Sequence, residues 1–146
     1  APLGGGLPIG AFLITDRVAE GSLTPGDHGT TYGGNPLCCA AVEASIDILS
    51  RNNILKNVNE LTPYLESKLD DIVAGCDKAL SHRGQGFMQG IVLDESIKAG
   101  DVVKESLGKG LVVLSAGGNV LRLLPPLVIT KGDIDRAVSI INEVLS

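Results

Sequence analysis

The chain has 146 residues, of which 44% are hydrophobic, 3% aromatic and 20% charged, and its formal net charge is −5. This length suits one ordinary domain with a core built mainly from aliphatic side chains. No stretch gathers several lysines or arginines, and no apolar run approaches the ~20 residues that span a bilayer, so the sequence predicts no nucleic-acid partner and no membrane partner.

The first predicted element is a short strand. Residues 8–14 read PIGAFLI, an apolar run bounded by glycines on one side and by Thr15 and Asp16 on the other. Such a run is typical of a buried strand in a parallel sheet. Its neighbours would lie upstream of residue 1, and the chain starts in a glycine-rich turn without an initiator methionine. The sequence therefore predicts a chain that is part of a longer protein.

A loop rich in hydroxyls and glycines precedes the first predicted helix. Residues 28–36 read HGTTYGGNP, and they end in Asn35, a good N-cap, and Pro36, which suits the first position of a helix over residues 36–50. Apolar residues wrap more than one face of this helix, which predicts that it is covered on both sides. Hydroxyls and free N–H groups ahead of a helix bind an anion such as phosphate. The same residues also suit an ordinary Asx or Ser/Thr turn.

The rest of the chain predicts an α+β module. Apolar residues spaced by three and four predict a helix from Ile54 to Gly75, with a kink or a break near Thr62 because Pro63 interrupts it. The elements predicted beyond it are strands at 87–93, 111–114 and 120–124, a helix near 96–108 and a last helix at about 132–145. Helices and strands mixed in this order are typical of the α+β class.

Arg122 is the most informative single residue of the predicted strands. It alternates with Val120 and Leu124 on one strand face, which places its guanidinium among aliphatic side chains. A buried cation needs a partner, because an unpaired buried charge is costly. That partner is either one of the 17 acidic residues of the chain or a ligand carboxylate held by the two-pronged guanidinium.

The cysteines and histidines form no reactive pattern. Cys38, Cys39 and Cys76 make no Cys-x-x-Cys pair, and an odd number of cysteines without a signal peptide predicts a reducing compartment, the cytoplasm. Cys38 and Cys39 fall in the predicted apolar helix, where we expect inert core residues. His28 and His82 have no Asp, Glu or Cys at ligand spacing, so no metal site is predicted.

Four motifs occur in a fixed order along the chain: LGGGLPIGAF, HGTTYGGNPL, RGQGFMQGIVL and NVLRLLPPLVIT. In this order they resemble class III aminotransferases of pyridoxal-phosphate fold type I, nearest the acetylornithine aminotransferases. The resemblance covers the whole chain and corresponds to the carboxy-terminal part of such an enzyme. It implies a mixed α/β and α+β fold, with residues 1–50 as a remnant of the large cofactor domain and residues 51–146 as the small α+β domain.

The resemblance also implies roles for particular residues. Thr31, with its neighbour Thr30, would hold the phosphate of pyridoxal 5′-phosphate bound to the other subunit of a homodimer. Arg122 would hold the α-carboxylate of the substrate. The lysine that forms the Schiff base with the cofactor would stand where this chain has Ala1. No catalytic residue is therefore assigned, and we expect the chain alone to bind no cofactor and to be inactive.

The reaction implied for the parent enzyme belongs to arginine biosynthesis. It moves the δ-amino group of N-acetylornithine to 2-oxoglutarate and yields N-acetylglutamate 5-semialdehyde and glutamate. Two alternatives stay open. One is a related aminotransferase that acts on ornithine or another ω-amino acid, and the other is a non-catalytic domain that binds a partner through an exposed helix face or a sheet edge.

Overall fold

The structure is a computed structural model that describes residues 3–24, 26–51 and 53–146. The chain divides into two units, Ala1–Asn53 and Ile54–Ser146. The elements within the described residues are, in chain order, α1 (Asp16–Ser22), α2 (Pro36–Arg51), α3 (Ile54–Gly75), β1 (Ala79–Gln85), β2 (Met88–Leu93), α4 (Ala99–Gly108), β3 (Leu114–Ala116), β4 (Val120–Leu123) and α5 (Lys131–Leu145).

The first unit holds two helices and no strand among its described residues. The strand predicted at residues 8–14 is wrong, because this segment has no regular structure and Leu13 is fully exposed at 100%. A strand needs hydrogen-bonding neighbours, and no described residue pairs with this one. The short helix α1 that follows it was not predicted.

Helix α2 forms where the sequence predicts it but lies uncovered. The side-chain oxygen of Asn35 accepts hydrogen bonds from the backbone N–H groups of Leu37 (3.0 Å) and Cys38 (3.3 Å), so the predicted N-cap is confirmed. The prediction that both faces are covered is not met within this chain, because no residue of α2 is buried and Leu37 is 68% exposed. The described residues of the first unit cover this helix only in part, since its least exposed side chains are half-buried.

Helix α3 of the second unit runs through Pro63 without the predicted break. Pro63 is exposed, so its ring faces solvent. A proline inside a helix costs about 3 kcal/mol. Each buried leucine or isoleucine contributes about 1.5–3 kcal/mol, and α3 buries five of them, so packing outweighs the proline. These residues are Ile54, Leu61, Leu65, Leu69 and Ile72.

The sheet has four antiparallel strands in the order β1-β2-β4-β3. Strands β2 and β4 match the predicted strands at 87–93 and 120–124. The third predicted strand, at 111–114, is displaced: Val113 is buried in the core from an unpaired segment, and pairing starts only at Leu114. Strand β1 was not predicted, because its sequence ALSHRGQ is mostly polar and only Ala79 is buried.

One hydrophobic core joins the sheet to helices α3, α4 and α5, which confirms the predicted α+β class. Leu69, Ile91, Leu121 and Ile141 lie at its centre, each 0% exposed. The helices predicted near 96–108 and 132–145 form as α4 and α5. Because core residues alternate along β2 and β4, the sheet covers its helix side and leaves its other face to solvent or ligands.

Candidate functional site

Arg122 lies in the middle of β4, opposite Gly90 on one side and Leu114 on the other. Its Nε is buried and has no hydrogen-bond partner, and no acidic side chain in the described parts of the chain forms an ion pair with it. Val120 shares the strand and is buried, whereas Leu124 lies beyond the end of β4 and is 60% exposed. The sequence leaves two partners open for Arg122, an acidic residue of the chain or a ligand carboxylate. The described residues provide no such acid.

A second arginine lies on the same sheet face and was not singled out from the sequence. Arg83 of β1 is opposite Gly90 of β2, and Gly90 is opposite Arg122 of β4. Residues directly opposite each other on neighbouring strands project to one face, so the two guanidinium groups flank a residue that has no side chain. Gly86, with a φ of 58°, lies in the turn between β1 and β2, and Gln85 pairs with Met88. Counting the residues outward from this turn pairs Arg83 with Gly90, so the turn is the signal in the sequence that could have located Arg83.

A cavity of about 250 Å³ opens at this row of residues. Arg83, Gly90 and Arg122 line it, together with Met88 and Val120. No aspartate or glutamate is among the described lining residues. The cavity therefore combines a cationic rim with a partly apolar wall, which suits a small anionic molecule.

The loop ahead of α2 carries the two predicted phosphate-binding threonines. The Thr30 hydroxyl accepts a weak hydrogen bond from the Tyr32 N–H (3.4 Å), and the Thr30 carbonyl accepts one from the Gly33 N–H (3.3 Å). Gly34 has a φ of 70°, in the left-handed region. The ordinary turn that the sequence allows is thus present, and it places both threonines in one loop.

Thr30 and Thr31 differ in their surroundings. Thr30 lines a cavity of about 320 Å³ in the first unit, next to Gly10 and Gly34, whereas Thr31 does not line it. Thr31 is exposed, and no described residue forms a hydrogen bond with its hydroxyl. Asn35 already occupies N–H groups of the first turn of α2. The threonine hydroxyls, rather than the helix end, are therefore the donors that fit a phosphate at this loop.

The predicted site residues fall in both units. Thr30 and Thr31 share one loop of the first unit, and Arg122 belongs to the second unit. Ala1, the position at which the resemblance implies the Schiff-base lysine, lies outside the described residues.

The remaining reactive side chains differ in part from the sequence predictions. Nε2 of His82 lies 2.9 Å from Oδ1 of Asp70, so this histidine has an acidic neighbour after all. Cys38 is half-buried and Cys39 exposed, which contradicts the prediction that both are core residues, because α2 has no buried face. Among the residues that the structure describes, no three His, Cys, Asp or Glu side chains form a metal site, and none of the helices has the length and apolarity of a membrane span.

Comparison with known proteins gives a consistent result. The sequence model of the class-III aminotransferases matches residues 2–145. The acetylornithine aminotransferase of Aquifex aeolicus is 44% identical over 143 residues, which cover 98% of this chain and 35% of that protein. The chain spans about a third of the length of the curated relatives it matches.

Solved structures agree in fold. Plasmodium falciparum ornithine delta-aminotransferase superimposes with a TM-score of 0.89 at 31% identity, over 99% of this chain and 38% of that chain. The N-acetylornithine aminotransferase of Stenotrophomonas maltophilia gives a TM-score of 0.78 at 32% identity, over 97% of this chain and 36% of that chain.

Proposed function

Because this chain belongs to the class III aminotransferase family, we propose that the whole protein is a pyridoxal 5′-phosphate-dependent transaminase. Its proposed amino donor is N-acetylornithine and its acceptor is 2-oxoglutarate, with N-acetylglutamate 5-semialdehyde and glutamate as products. The donor is supported by the acetylornithine aminotransferases among the relatives. A related enzyme acting on ornithine is the second candidate, because a structure of an ornithine delta-aminotransferase also covers this chain.

The observation that carries the proposal is the unpaired guanidinium of Arg122. Among the residues that the structure describes, its buried Nε has no hydrogen-bond partner, and no acidic residue lines the cavity beside it. A guanidinium donates two parallel hydrogen bonds to a carboxylate, which fixes the orientation of the bound molecule as well as its position. We assign Arg122 to the α-carboxylate of the substrate.

Thr31, assisted by Thr30, is the proposed donor to the cofactor phosphate. A threonine hydroxyl donates one hydrogen bond to a phosphate oxygen, and the N-cap of Asn35 keeps the loop in place. When it is bound, pyridoxal 5′-phosphate supplies a ring that accepts the electrons left on the substrate carbon when its proton is removed. In the proposed homodimer this phosphate is held across the subunit interface.

We further propose that residues 1–50 belong to the cofactor domain, that residues 51–146 form the small domain, and that the protein acts in the cytoplasm. The 146-residue chain by itself is proposed to transfer no amino group and to retain no cofactor. The reason is that Ala1 stands where the resemblance implies the lysine. A chain that transfers amino groups unaided would contradict this proposal.

The test uses the whole enzyme with single substitutions. We expect Arg122→Gln to raise the KM of at least one of the two substrates about 10- to 100-fold, because a charge-assisted hydrogen bond contributes about 1.5–3 kcal/mol. Arg136→Gln removes the same charge from an exposed position on α5 and is the matched control. An unchanged KM for both substrates in Arg122→Gln would remove this residue from the carboxylate role.

Two further measurements separate the alternatives. Thr31→Val should weaken cofactor retention about 5-fold, from the loss of one hydrogen bond of about 1 kcal/mol, measured by dialysis and visible absorption. A panel of amine donors, with N-acetylornithine against ornithine, decides the substrate. A non-catalytic domain would give no visible absorption of bound cofactor when the whole protein is mixed with pyridoxal 5′-phosphate.

A further inference from the structure

We infer that Arg83 is a second carboxylate-binding residue, and that it holds the substrate carboxylate together with Arg122. This inference deepens the proposed function, since it rests on the assignment of Arg122 to a carboxylate. It adds a residue from a different strand, 39 positions earlier in the chain. The ligand class is an amino or oxo acid whose carboxylate enters the cavity between the two guanidinium groups.

The register of the sheet brings the two arginines to one place. Arg83 pairs with Gly90 and Gly90 pairs with Arg122, so the three residues form one row across β1, β2 and β4. Neighbouring strands lie about 4.8 Å apart, which puts the two arginine Cα atoms about 10 Å from each other. Two long side chains that rise from one face at this distance can converge on one small anion.

Gly90 leaves the space between the arginines open. It lies inside the central strand β2, where glycine weakens packing and often marks a place at which a ligand approaches the backbone. A Cβ atom at this position would come within 2.8 Å of a Val120 methyl group. Any larger residue would therefore displace Val120 and fill the floor of the cavity.

The charges around the row favour an anion. No described acidic side chain forms an ion pair with Arg83 or with Arg122, and the described lining of the cavity contains no acid. Two cations that share one cavity repel each other, and a carboxylate between them removes that repulsion. Arginine side chains carry a positive charge, so the site is cationic.

The experiment measures steady-state kinetics of the whole enzyme with three variants. We expect Arg83→Gln to raise the KM of the same substrate as Arg122→Gln does, about 10-fold or more, while kcat changes little, because the lost contact is charge-assisted. Arg83→Lys keeps the charge but not the planar fork and should recover part of the affinity. Arg136→Gln is again the matched control, since Arg136 is exposed on α5 and does not line the cavity.

A direct probe of the site is inhibition by acetate, which offers a carboxylate and little else. Acetate should compete with substrate in the wild type. In Arg83→Gln, its inhibition constant should rise by about the same factor as the KM of the substrate. A variant with wild-type cofactor absorption and melting temperature excludes a general folding defect.

The outcomes distinguish this inference from the proposed function. If Arg122→Gln raises KM and Arg83→Gln leaves both KM and acetate inhibition unchanged, the inference is overturned while the role of Arg122 stands. If Arg122→Gln itself has no effect, the proposed carboxylate site fails. A loss of kcat alone in Arg83→Gln, with unchanged KM and unchanged acetate inhibition, would also overturn the binding role of Arg83.

Discussion

A single side chain, that of Asn119, ties together three segments of the second unit. Its amide nitrogen donates to the backbone oxygens of Asp94 (3.0 Å) and Ile97 (2.8 Å), and its side-chain oxygen accepts from the N–H of Ala99 (2.8 Å). Its φ of 58° lies in the left-handed region, which asparagine tolerates better than most residues. This residue therefore fixes the loop before α4 against the start of β4, the strand that carries Arg122.

We expect Asn119→Asp to lower the free energy of unfolding by about 2–4 kcal/mol. The aspartate carboxylate has no N–H group to donate, so the backbone carbonyl oxygens that it faces lose their hydrogen bonds. The measurement is urea unfolding followed by circular dichroism. Aspartate also tolerates a positive φ, so the comparison isolates the hydrogen bonds from the backbone strain. An aspartate variant as stable as the wild type would contradict the role assigned to this amide.

At the residue scale, the sequence predicts a functional residue where a charged side chain interrupts a run of apolar residues. It misses residues that come together only through the pairing of strands. Arg122 stands out because aliphatic residues surround it in the sequence. Arg83 does not, because β1 has no apolar alternation and its neighbour across the sheet depends on the hairpin register. His82 was missed for the same reason, since Asp70 reaches it from α3.

At the scale of elements, α5 begins with a complete capping box. The Thr130 N–H and hydroxyl donate to the Asp133 carboxylate (3.0 and 2.6 Å), and the Asp133 N–H donates to the Thr130 hydroxyl (3.3 Å). The hydrogen bonds from Thr130 lower the pKa of Asp133 below its ordinary value. A lowered folded-state pKa contributes stability above the unfolded-state pKa, and that contribution is lost as the pH falls through the folded-state value.

Thr130→Ala should therefore lower the free energy of unfolding by about 1 kcal/mol at pH 7, the usual effect of removing an N-cap. The difference between variant and wild type should shrink as the pH falls below the ordinary aspartate pKa of about 3.9 and through the lower folded-state pKa of Asp133, where the wild-type carboxylate becomes protonated too. Urea unfolding at pH 7 and pH 3 checks this. Ser139→Ala, at an exposed position inside the same helix, is the control for changes in helix propensity. An equal difference at the two pH values would contradict the coupling.

Elements with strong periodicity are predictable and elements that depend on neighbours are not. Helices α3, α4 and α5 follow from apolar spacing, and α3 continues through Pro63 because its buried stripe outweighs the local cost of the proline. The apolar run at residues 8–14 satisfies the pattern of a strand but has no hydrogen-bonding partner among the described residues. Local pattern specifies which face is apolar, and tertiary contacts determine whether that face is covered.

At the scale of the whole molecule, the two units differ in how much they bury. Neither α1 nor α2 contains a buried residue, whereas the second unit has one continuous core. Burial of apolar surface is the main source of folding free energy, so the second unit holds most of the stability of this chain. The predicted α+β class follows from sequence because it needs only element order, while the coverage of α2 requires contacts that sequence alone does not provide.

Hydrogen–deuterium exchange on the 146-residue chain tests this difference. We expect amides of α3, β2, β4 and α5 to exchange on the order of 100-fold or more slowly than those of α2, because opening of a buried element requires loss of the core. Equally slow exchange along α2 would contradict the expectation. Leu69→Ala, which empties a fully buried position of α3, should accelerate exchange in the second unit and leave α2 unchanged.

The order β1-β2-β4-β3 leaves β1 and β3 at the two edges of the sheet. Strand β1 is polar along most of its length and has an irregular register between Ala79 and Ser81, and β3 is only 3 residues long. Short or irregular edges with charged side chains are poor templates for a foreign strand. The two central strands, β2 and β4, are apolar. Because both edge strands pair poorly with another chain, aggregation through the edges of the sheet is disfavoured.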